Sequence, residues 1–560
     1  MAELVLGPLL RCVDGPAATV WVEADGPCQV EVTAGPATGR ARTTAVAGSH
    51  YALVVVDGLP DAATTAYQVR LDDRAVWPPP TGDLPPSVIR TADRARPLRV
   101  VFGSCRVEAP LRPPYDRPRT EDPEGHGVDA LDALARRLAR GSADDLPDAL
   151  ALLGDQVYAD EVVGPGRRRR RRSVDPPPGS VADLGEYVEL YRRSWGHPHV
   201  RWLLSTVPSA MVFDDHDVVD DWNISEAWLD RMGREPWWDR RIAGGLVSYW
   251  LYQHWGNLTP AQLEGDDLAR AVARADDATA LLEGRVEGWR LDRADPAAQR
   301  WSTCRDLEGS ARARLLLLDT RNSRCLAEGQ RAIIDGREMA WAAERARVDR
   351  DGLDHLLLGS SLPWLLPPGV HDLERSTEAV ASGRGGPPGR QLAERARRDR
   401  DLEHWPSFGR SFDDLAALLA SVAAGEEGPC PSSLLVLSGD VHFSYLAPAD
   451  LGVDRARVVQ LVSSPLRNGV PANLERALRL AASPVGTALG QVGRRLAAGG
   501  DEPLRWDLAG GPWFGNGVAT LTLDGPRATV RFERSRHDHT GQPDLVTVHE
   551  ERLAGPPAGV

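Results

Sequence analysis

The segment VFDDHDVVDDWN, residues 212–223, places five aspartates and one histidine directly behind an apolar run. Carboxylates at this density repel one another, and burying one of them without a partner is unfavourable. The segment must therefore be solvated, paired with positive charge or bound to cations. For FDDHD taken alone, the simplest alternative is a solvated helix N-terminus, where the helix dipole favours acidic residues.

Two other segments carry metal-ligand residue types at comparable positions. LLGDQVY puts Asp155 directly after an apolar run and Tyr158 three residues later, and LSGDVHF puts Asp440 two residues before His442. Aspartate and histidine suit hard or borderline cations such as iron, manganese, zinc and calcium. Two neighbouring ions can bind both an attacking water and a phosphoryl oxygen. Alone, each Gly-Asp pair is typical of a turn, so the prediction depends on all the segments together.

The composition excludes several classes of protein. The net charge is −14, the pI is about 5.5 and all 66 basic residues are arginine. A chain without lysine has no Walker A phosphate loop and no Schiff-base chemistry, and its acidity argues against general nucleic-acid binding. No segment reaches the roughly 18 apolar residues of a membrane span, and the scattered cysteines suit reduced thiols. We therefore expect a cytoplasmic protein with no membrane or specific nucleic-acid partner.

The pattern of elements changes once along the chain. Residues 1–92 show short β-rich runs separated by Gly, Pro and Asp, which predict a small β-sandwich. From residue 97, continuous apolar strands alternate with amphipathic helices, which predicts an α/β fold with helices covering the sheets. Polar residues follow the strands repeatedly, at the edge where open α/β sheets bind ligands. They are Ser104, Cys105, Asp155, Asp214 to Asp217, Asp319, Arg321, Asp440 and His442.

Three other regions leave alternatives open. The run Arg167–Arg172 is either a binding element for anionic polymers or, more simply, a solvated insertion. Six tryptophans between residues 222 and 256 indicate helical packing over the sheet, with a substrate-stacking platform as the alternative. Near the end, GNGVATLTLDGPRATVRFERS predicts a hairpin that completes a second sheet. Residues 535–560 are predicted to form a tail, whose HDH at 537–539 is either a metal-binding motif or a surface feature.

Five motifs stand in order along the chain: GSC at 103–105, GDQVYAD at 154–160, FDDHD at 213–217, LDTR at 318–321 and SGDVH at 438–442. Together they resemble the PhoD-like alkaline phosphatases of the calcineurin-like metallophosphoesterase superfamily. The resemblance implies a four-layer αββα metallophosphoesterase sandwich over residues 97–534, preceded by the N-terminal β-sandwich of residues 1–92.

The same resemblance implies a set of site residues. Cys105, Asp155, Tyr158 and His442 resemble the ligands of an iron site. Asp155, Asp215 and Asp440 resemble the ligands of one or two divalent ions, commonly calcium, with manganese or zinc as alternatives. His216 resembles the histidine that contacts the phosphate or protonates the leaving group. Arg321 and Asn223 are the expected substrate-binding residues, with pairing to nearby acids as the alternative role of Arg321.

One motif departs from the family pattern. The family often has DDHE followed by an asparagine pair, whereas this chain reads DDHDVVDDWN, with Asp220 and Asp221 at the asparagine positions and Asn223 displaced. The expected activity is hydrolysis of phosphate monoesters, diesters or both in a small phosphorylated substrate, through a metal-activated water. The alternative is a metal-stabilised binding protein of the same fold without turnover. His216 favours the enzyme, because a binding protein does not need an unliganded histidine beside its metals.

Overall fold

The computed structural model describes residues 1–555 except 81, 165–174, 291–300, 328, 385, 400–401, 454 and 498–503. The run Arg167–Arg172 lies outside the described residues. Within them, no helix combines the length and the apolar character needed to cross a membrane. All six cysteines are free thiols.

The N-terminal region is a β-sandwich, as predicted. Its strands are β1 Leu4–Asp14, β2 Ala17–Ala24, β3 Gln29–Ala34, β4 Ala37–Arg42, β5 Thr44–Val46, β6 Ser49–Val56, β7 Thr64–Leu71, β8 Arg74–Trp77 and β9 Val88–Arg90. They form one sheet in the order β1-β2-β6-β5 and a second in the order β4-β3-β7-β8, with β9 also paired to β7. Alternating Val, Leu and Ala side chains of both sheets pack into one buried cluster.

The rest of the chain contributes fourteen strands to two larger sheets. They are β10 Leu98–Gly103, β11 Ala149–Leu152, β12 Ser209–Met211, β13 Thr303–Glu308, β14 Arg312–Leu318, β15 His355–Ser360, β16 Ser433–Ser438, β17 Phe443–Asp450, β18 Arg457–Val462, β19 Arg505–Trp506, β20 Gly510–Phe514, β21 Gly517–Asp524, β22 Arg527–His537 and β23 Pro543–Ala554. The first sheet has the order β12-β11-β10-β21-β22-β23, and the second has β13-β14-β15-β16-β18-β17-β19, with β20 on β17. A buried apolar cluster fills the space between the two sheets.

Helices cover the outer faces of the two sheets. They are α1 Ala130–Arg140, α2 Leu184–Trp195, α3 Pro198–Thr206, α4 Glu226–Met232, α5 Trp238–Tyr249, α6 Pro260–Gly265, α7 Asp267–Arg274, α8 Thr279–Arg290, α9 Gly336–Arg347, α10 Pro368–Ala379, α11 Gly386–Asp399, α12 Gly409–Ala424, α13 Ala472–Ala481 and α14 Pro484–Ala497. Helices α1, α2, α3 and α5 bury apolar faces on the first sheet, and α9 and α12 bury theirs on the second. The architecture is the expected αββα sandwich.

The six tryptophans between residues 222 and 256 belong to the buried cluster over the first sheet. Each is at most 5% exposed, so they pack and do not form a stacking platform for a substrate. The same region binds the N-terminal sandwich: the Arg11 guanidinium donates to the carbonyl oxygens of Tyr252 at 2.8 Å and Gln253 at 2.7 Å.

The prediction that residues 535–560 form a tail is wrong for Pro543–Ala554, which form a strand. Strand β23 pairs antiparallel with β22 and forms the edge of the first sheet. Its outward positions carry charged residues such as Glu550 and Arg552, and most of the strand is exposed or half-buried. Charged side chains are typical of edge strands, where they oppose pairing with other chains, and they hide the strand pattern in the sequence.

Candidate active site

The predicted polar residues meet at one edge of the sandwich. In the first sheet, β10, β11 and β12 run parallel, and in the second β14, β15, β16 and β18 run parallel. Their carboxyl ends therefore lie on the same edge of each sheet. The sheets approach closely there, since a Cβ on Gly439 would lie 2.0 Å from Ser104 Oγ.

Four of the predicted ligands have left-handed backbone conformations. The φ angles are 57° at Cys105, 49° at Asp155, 63° at Asp440 and 59° at His442. Non-glycine residues adopt this region rarely, and such strain is concentrated at functional sites. The turn before Asp155 is equally tight, because a Cβ on Gly154 would lie 2.4 Å from Asp214 Oδ2.

The structure brings together Cys105, Asp155, Tyr158 and His442. The Tyr158 hydroxyl lies 3.3 Å from Asp155 Oδ2 and 3.3 Å from His442 Nε2, and Cys105 packs beside Tyr158. Burial and the neighbouring Asp214 carboxylate raise the pKa of Asp155 well above its ordinary value. Burial lowers the pKa of His442 to about 4, so this imidazole is neutral and can act as a ligand.

A second group of carboxylates surrounds Arg321. Its guanidinium pairs with Asp214, with Asp215 at 3.0 Å, with Asp440 at 3.0 Å and with Glu403 at 2.5 Å. The side chain is fully buried. Burial opposes the charge, but these four carboxylates outweigh it and raise the pKa of Arg321. The crowded acids of the opening segment are thus partly neutralised by one buried arginine.

His216, in the same segment, is held in place by Asp160 and Tyr158. Its Nδ1 lies 2.8 Å and 3.0 Å from the two carboxylate oxygens of Asp160, and its ring stacks on Tyr158 with centroids 4.3 Å apart. Asp217 accepts from the Asp214 backbone N–H at 3.1 Å and so stabilises the turn. Burial opposes protonation, but Asp160 and Asp215 outweigh it and raise the pKa of His216 well above its ordinary value.

Arg321 and Asn223, the expected substrate-binding residues, both have contacts within the protein. Arg321 is enclosed by acids, so its contacts are those of a buried counter-ion rather than a phosphate clamp. Asn223 is 5% exposed and donates from Nδ2 to the backbone carbonyl of Arg321 at 3.1 Å. Its position orients the arginine loop.

The structure adds residues that the motifs did not indicate. His404 lies with Nε2 3.0 Å from Asp440 Oδ2 and Nδ1 2.6 Å from Glu374 Oε1. Its neighbour Glu403 pairs with both Arg321 and Arg324. These residues precede a short turn at Trp405–Ser407 and follow no apolar strand, so the strand-end pattern could not reveal them. Asp160 is the last residue of the GDQVYAD motif, but no role was predicted for it.

A cavity of about 240 Å³ opens at this group. Asp155, Asp215, His216, His404 and His442 line it. Apolar residues in or just before α10, β17 and α13 line it as well. They are Leu366, Pro367, Val370, Val441, Phe443, Val470, Leu474 and Leu478.

The donors present fit metal ions. Asp155 Oδ1 and Asp214 Oδ2 are buried without a hydrogen-bond partner among the described residues, and buried polar atoms are rarely left so. Potential ligand atoms of Asp155, Asp215 and His216 lie within 4.8 Å of one another, as do those of Asp214, Asp215 and Asp440. The second set already contacts Arg321, so the need for a cation is greatest at Asp155.

Two family models match parts of the chain. Residues 132–361 match the family model described as PhoD-like phosphatase, and residues 1–89 match one described as a domain of unknown function, DUF7800. The match over residues 132–361 and the clustered donors support a metal-dependent phosphoesterase. A search of curated proteins found no match.

Solved structures resemble this chain at low sequence identity. A structure of PhoD is 12% identical, with a TM-score of 0.58, and the match covers 99% of this chain and 92% of that one. A purple acid phosphatase from yellow lupin (Lupinus luteus) seeds is 11% identical, with a TM-score of 0.44 and coverages of 96% and 74%. A dimetal phosphatase from Danio rerio is 8% identical, with a TM-score of 0.35 and coverages of 82% and 99%. The first likeness shows a shared fold.

Proposed function

We propose that the chain hydrolyses phosphate monoesters, phosphate diesters or both, with two or more metal ions held at the edge where the two sheets meet. The observation that carries the proposal is the buried Asp155. Its Oδ1 has no hydrogen-bond partner among the described residues, its Oδ2 lies 3.3 Å from the Tyr158 hydroxyl, and His216 and His442 line the same cavity.

The proposed ligands form two overlapping sets. Iron is proposed at Cys105, Asp155, Tyr158 and His442, and a divalent ion, calcium first among the candidates, at Asp155, Asp215 and Asp440. Thiolate, phenolate and imidazole suit a transition metal, whereas carboxylate oxygens suit calcium. When bound, these ions would polarise the phosphoryl oxygen and make a water molecule more acidic.

His216 is proposed to move the proton. Asp160 holds its Nδ1, and Nε2, which lies 3.7 Å from Asp220 Oδ1, is the nitrogen proposed to give a proton to the leaving alcohol oxygen. The stacking on Tyr158 fixes the plane of the ring beside the proposed ligands. A fixed ring keeps the acid within reach of the scissile bond without a reorganisation step.

The apolar lining indicates the kind of ester that fits. Val370, Phe443 and Leu474 line the same cavity as Asp155 and His216, so the alcohol part of the substrate is proposed to be apolar. Aryl phosphate monoesters and diesters are therefore suitable assay substrates. Hydrolysis of one, both or neither class by purified protein tests the proposal and assigns the preference.

The alternative, a metal-stabilised binding protein, makes a different prediction for the same assay. It would retain metal and bind phosphate esters without releasing the alcohol. The fixed His216–Asp160 pair favours turnover, because a binding site does not need a positioned proton donor.

Replacing Cys105 with serine is expected to lower the iron content and activity together. The Cys105 thiol is fully buried, with Sγ 3.1 Å from Ser104 Oγ and 3.3 Å from Ser464 Oγ. An iron bound there beside Tyr158 should give a visible thiolate or tyrosinate charge-transfer band, measured by absorption. Cys430→Ser, a thiol outside the site, is the control. A colourless wild-type protein and a fully active Cys105→Ser variant would remove Cys105 from the ligand set.

A further inference from the structure

A second set of metal-ligand side chains lies away from the catalytic edge, on the helices over the first sheet. His197 immediately precedes α3 and His199 lies in its first turn, with Pro198 between them. Asp132 lies in the first turn of α1, and α1 packs against α3. The two helices thus bring one carboxylate and two imidazoles together from distant parts of the sequence.

The three ligand atoms converge without satisfying one another. Asp132 is fully buried, and its Oδ1 lies 3.3 Å from His197 Nδ1 and 3.6 Å from His199 Nδ1. Ligand atoms of the three residues lie within 4.8 Å of one another, and Asp132 Oδ1 and both Nδ1 atoms have no hydrogen bond of good geometry among the described residues. Leaving a buried polar atom unsatisfied is unfavourable. The arrangement therefore points to a missing partner between them.

The spacing is that of ligands around one ion. Zinc binds imidazole nitrogen and carboxylate oxygen at about 2.0–2.2 Å, so ligand atoms of a tetrahedral site stand roughly 3.3–3.6 Å apart. The two measured distances, 3.3 Å and 3.6 Å, lie in that range. Two imidazole nitrogens and a carboxylate oxygen are also the donors that divalent transition ions prefer.

The surroundings orient this set for metal binding. Asp132 Oδ2 accepts from Arg136 Nε at 2.7 Å, which fixes the carboxylate and leaves Oδ1 towards the histidines. The His197 and His199 side chains are 30% and 26% exposed, so solvent can supply a further ligand.

A second pair of histidines has the same His-x-His spacing but lacks a buried carboxylate that is free to join them. His537 and His539 lie at and beyond the end of β22 and are exposed. Asp538 between them accepts from the Thr540 N–H and hydroxyl and from the Gln542 N–H. Its carboxylate is thus already bound in a turn. Spacing alone therefore does not make a site here, and the pair provides a matched control.

We propose that Asp132, His197 and His199 bind one divalent transition metal ion, with Zn²⁺ as the representative, at a site separate from the catalytic edge. The ion would tie α1 to α3 and stabilise the helical layer. Binding to the folded state alone raises stability by mass action. This inference does not depend on the proposed catalysis.

The test compares the full-length protein with the double variant His197→Gln/His199→Gln. Each protein is stripped of metal, dialysed against Zn²⁺ and analysed for zinc per chain, and its melting temperature is recorded with and without Zn²⁺. The variant is expected to bind about one zinc ion less per chain and to lose part of the zinc-dependent rise in melting temperature. His537→Gln/His539→Gln is expected to match the wild type.

A crystal of the zinc-loaded wild type gives an independent measurement. An anomalous difference peak between Asp132 and the two histidines is expected. Equal zinc content in the wild type and a folded double variant would overturn the proposal, as would a map without that peak. If the double variant fails to fold, the map alone decides.

Discussion

Replacing His216 with asparagine is expected to lower kcat by roughly 10² to 10⁴-fold, the range for loss of a positioned acid–base group or charge-stabilising donor. The imidazole lines the cavity and is held by Asp160 and by stacking on Tyr158. Asparagine keeps a polar side chain of similar size but cannot deliver the proton. Metal content and melting temperature should stay near the wild-type values, and single-turnover and steady-state kinetics measure the loss.

The matched variant for this prediction is His442→Ala. His442 Nε2 stands 3.3 Å from the Tyr158 hydroxyl, within the proposed iron ligands, so its removal should reduce metal content before any other property. Loss of metal in His216→Asn would make His216 a ligand, in keeping with its position near Asp155 and Asp215. Full activity in His216→Asn would place the proton donor elsewhere.

Replacing Arg321 with methionine is expected to lower the free energy of unfolding of the metal-free protein by about 3–5 kcal/mol. The guanidinium is the shared partner of Asp214, Asp215, Asp440 and Glu403. Removing it leaves buried carboxylates facing one another without their counter-ion. Denaturant unfolding in the presence of chelator measures the change.

The control is Arg42→Met, which removes an arginine paired with Asp276 at the surface. Those side chains are 77% and 87% exposed, and exposed pairs contribute about 0–1 kcal/mol. If Arg321 instead bound the substrate phosphate, its replacement would weaken substrate binding and leave stability unchanged. If Arg321→Met raised KM for phosphate esters while stability stayed unchanged, the counter-ion role would be wrong.

The positions after the strands could be predicted from the sequence because their signal is local. A continuous apolar run such as that before Asp155 must be a buried strand, and the polar residue that ends it must lie at the sheet edge. The partners of these residues could not be predicted. Arg321 and Asp214 are separated by 107 residues along the chain, and nothing near either one indicates that they pair.

Site residues that do not follow a strand could not be predicted either, because their contacts also join distant parts of the chain. His404 reaches the site from a short turn whose sequence resembles any loop, and only the fold places it 3.0 Å from Asp440. Strand β23 was missed because its exposed edge lacks the apolar alternation of a half-buried strand. His197 and His199 have a spacing that the exposed pair His537 and His539 shares, so only the buried Asp132 distinguishes them.

The most direct test of the central claim is metal analysis of protein purified without chelator, combined with hydrolysis of aryl phosphate mono- and diesters before and after metal removal. The His197→Gln/His199→Gln variant is used, so that the site at Asp132 does not contribute. We predict two or more bound metal ions per chain, iron among them, with hydrolysis that disappears on chelation and returns when metal is restored. Hydrolysis that survives complete metal removal, or bound metal without any hydrolysis, would contradict the account.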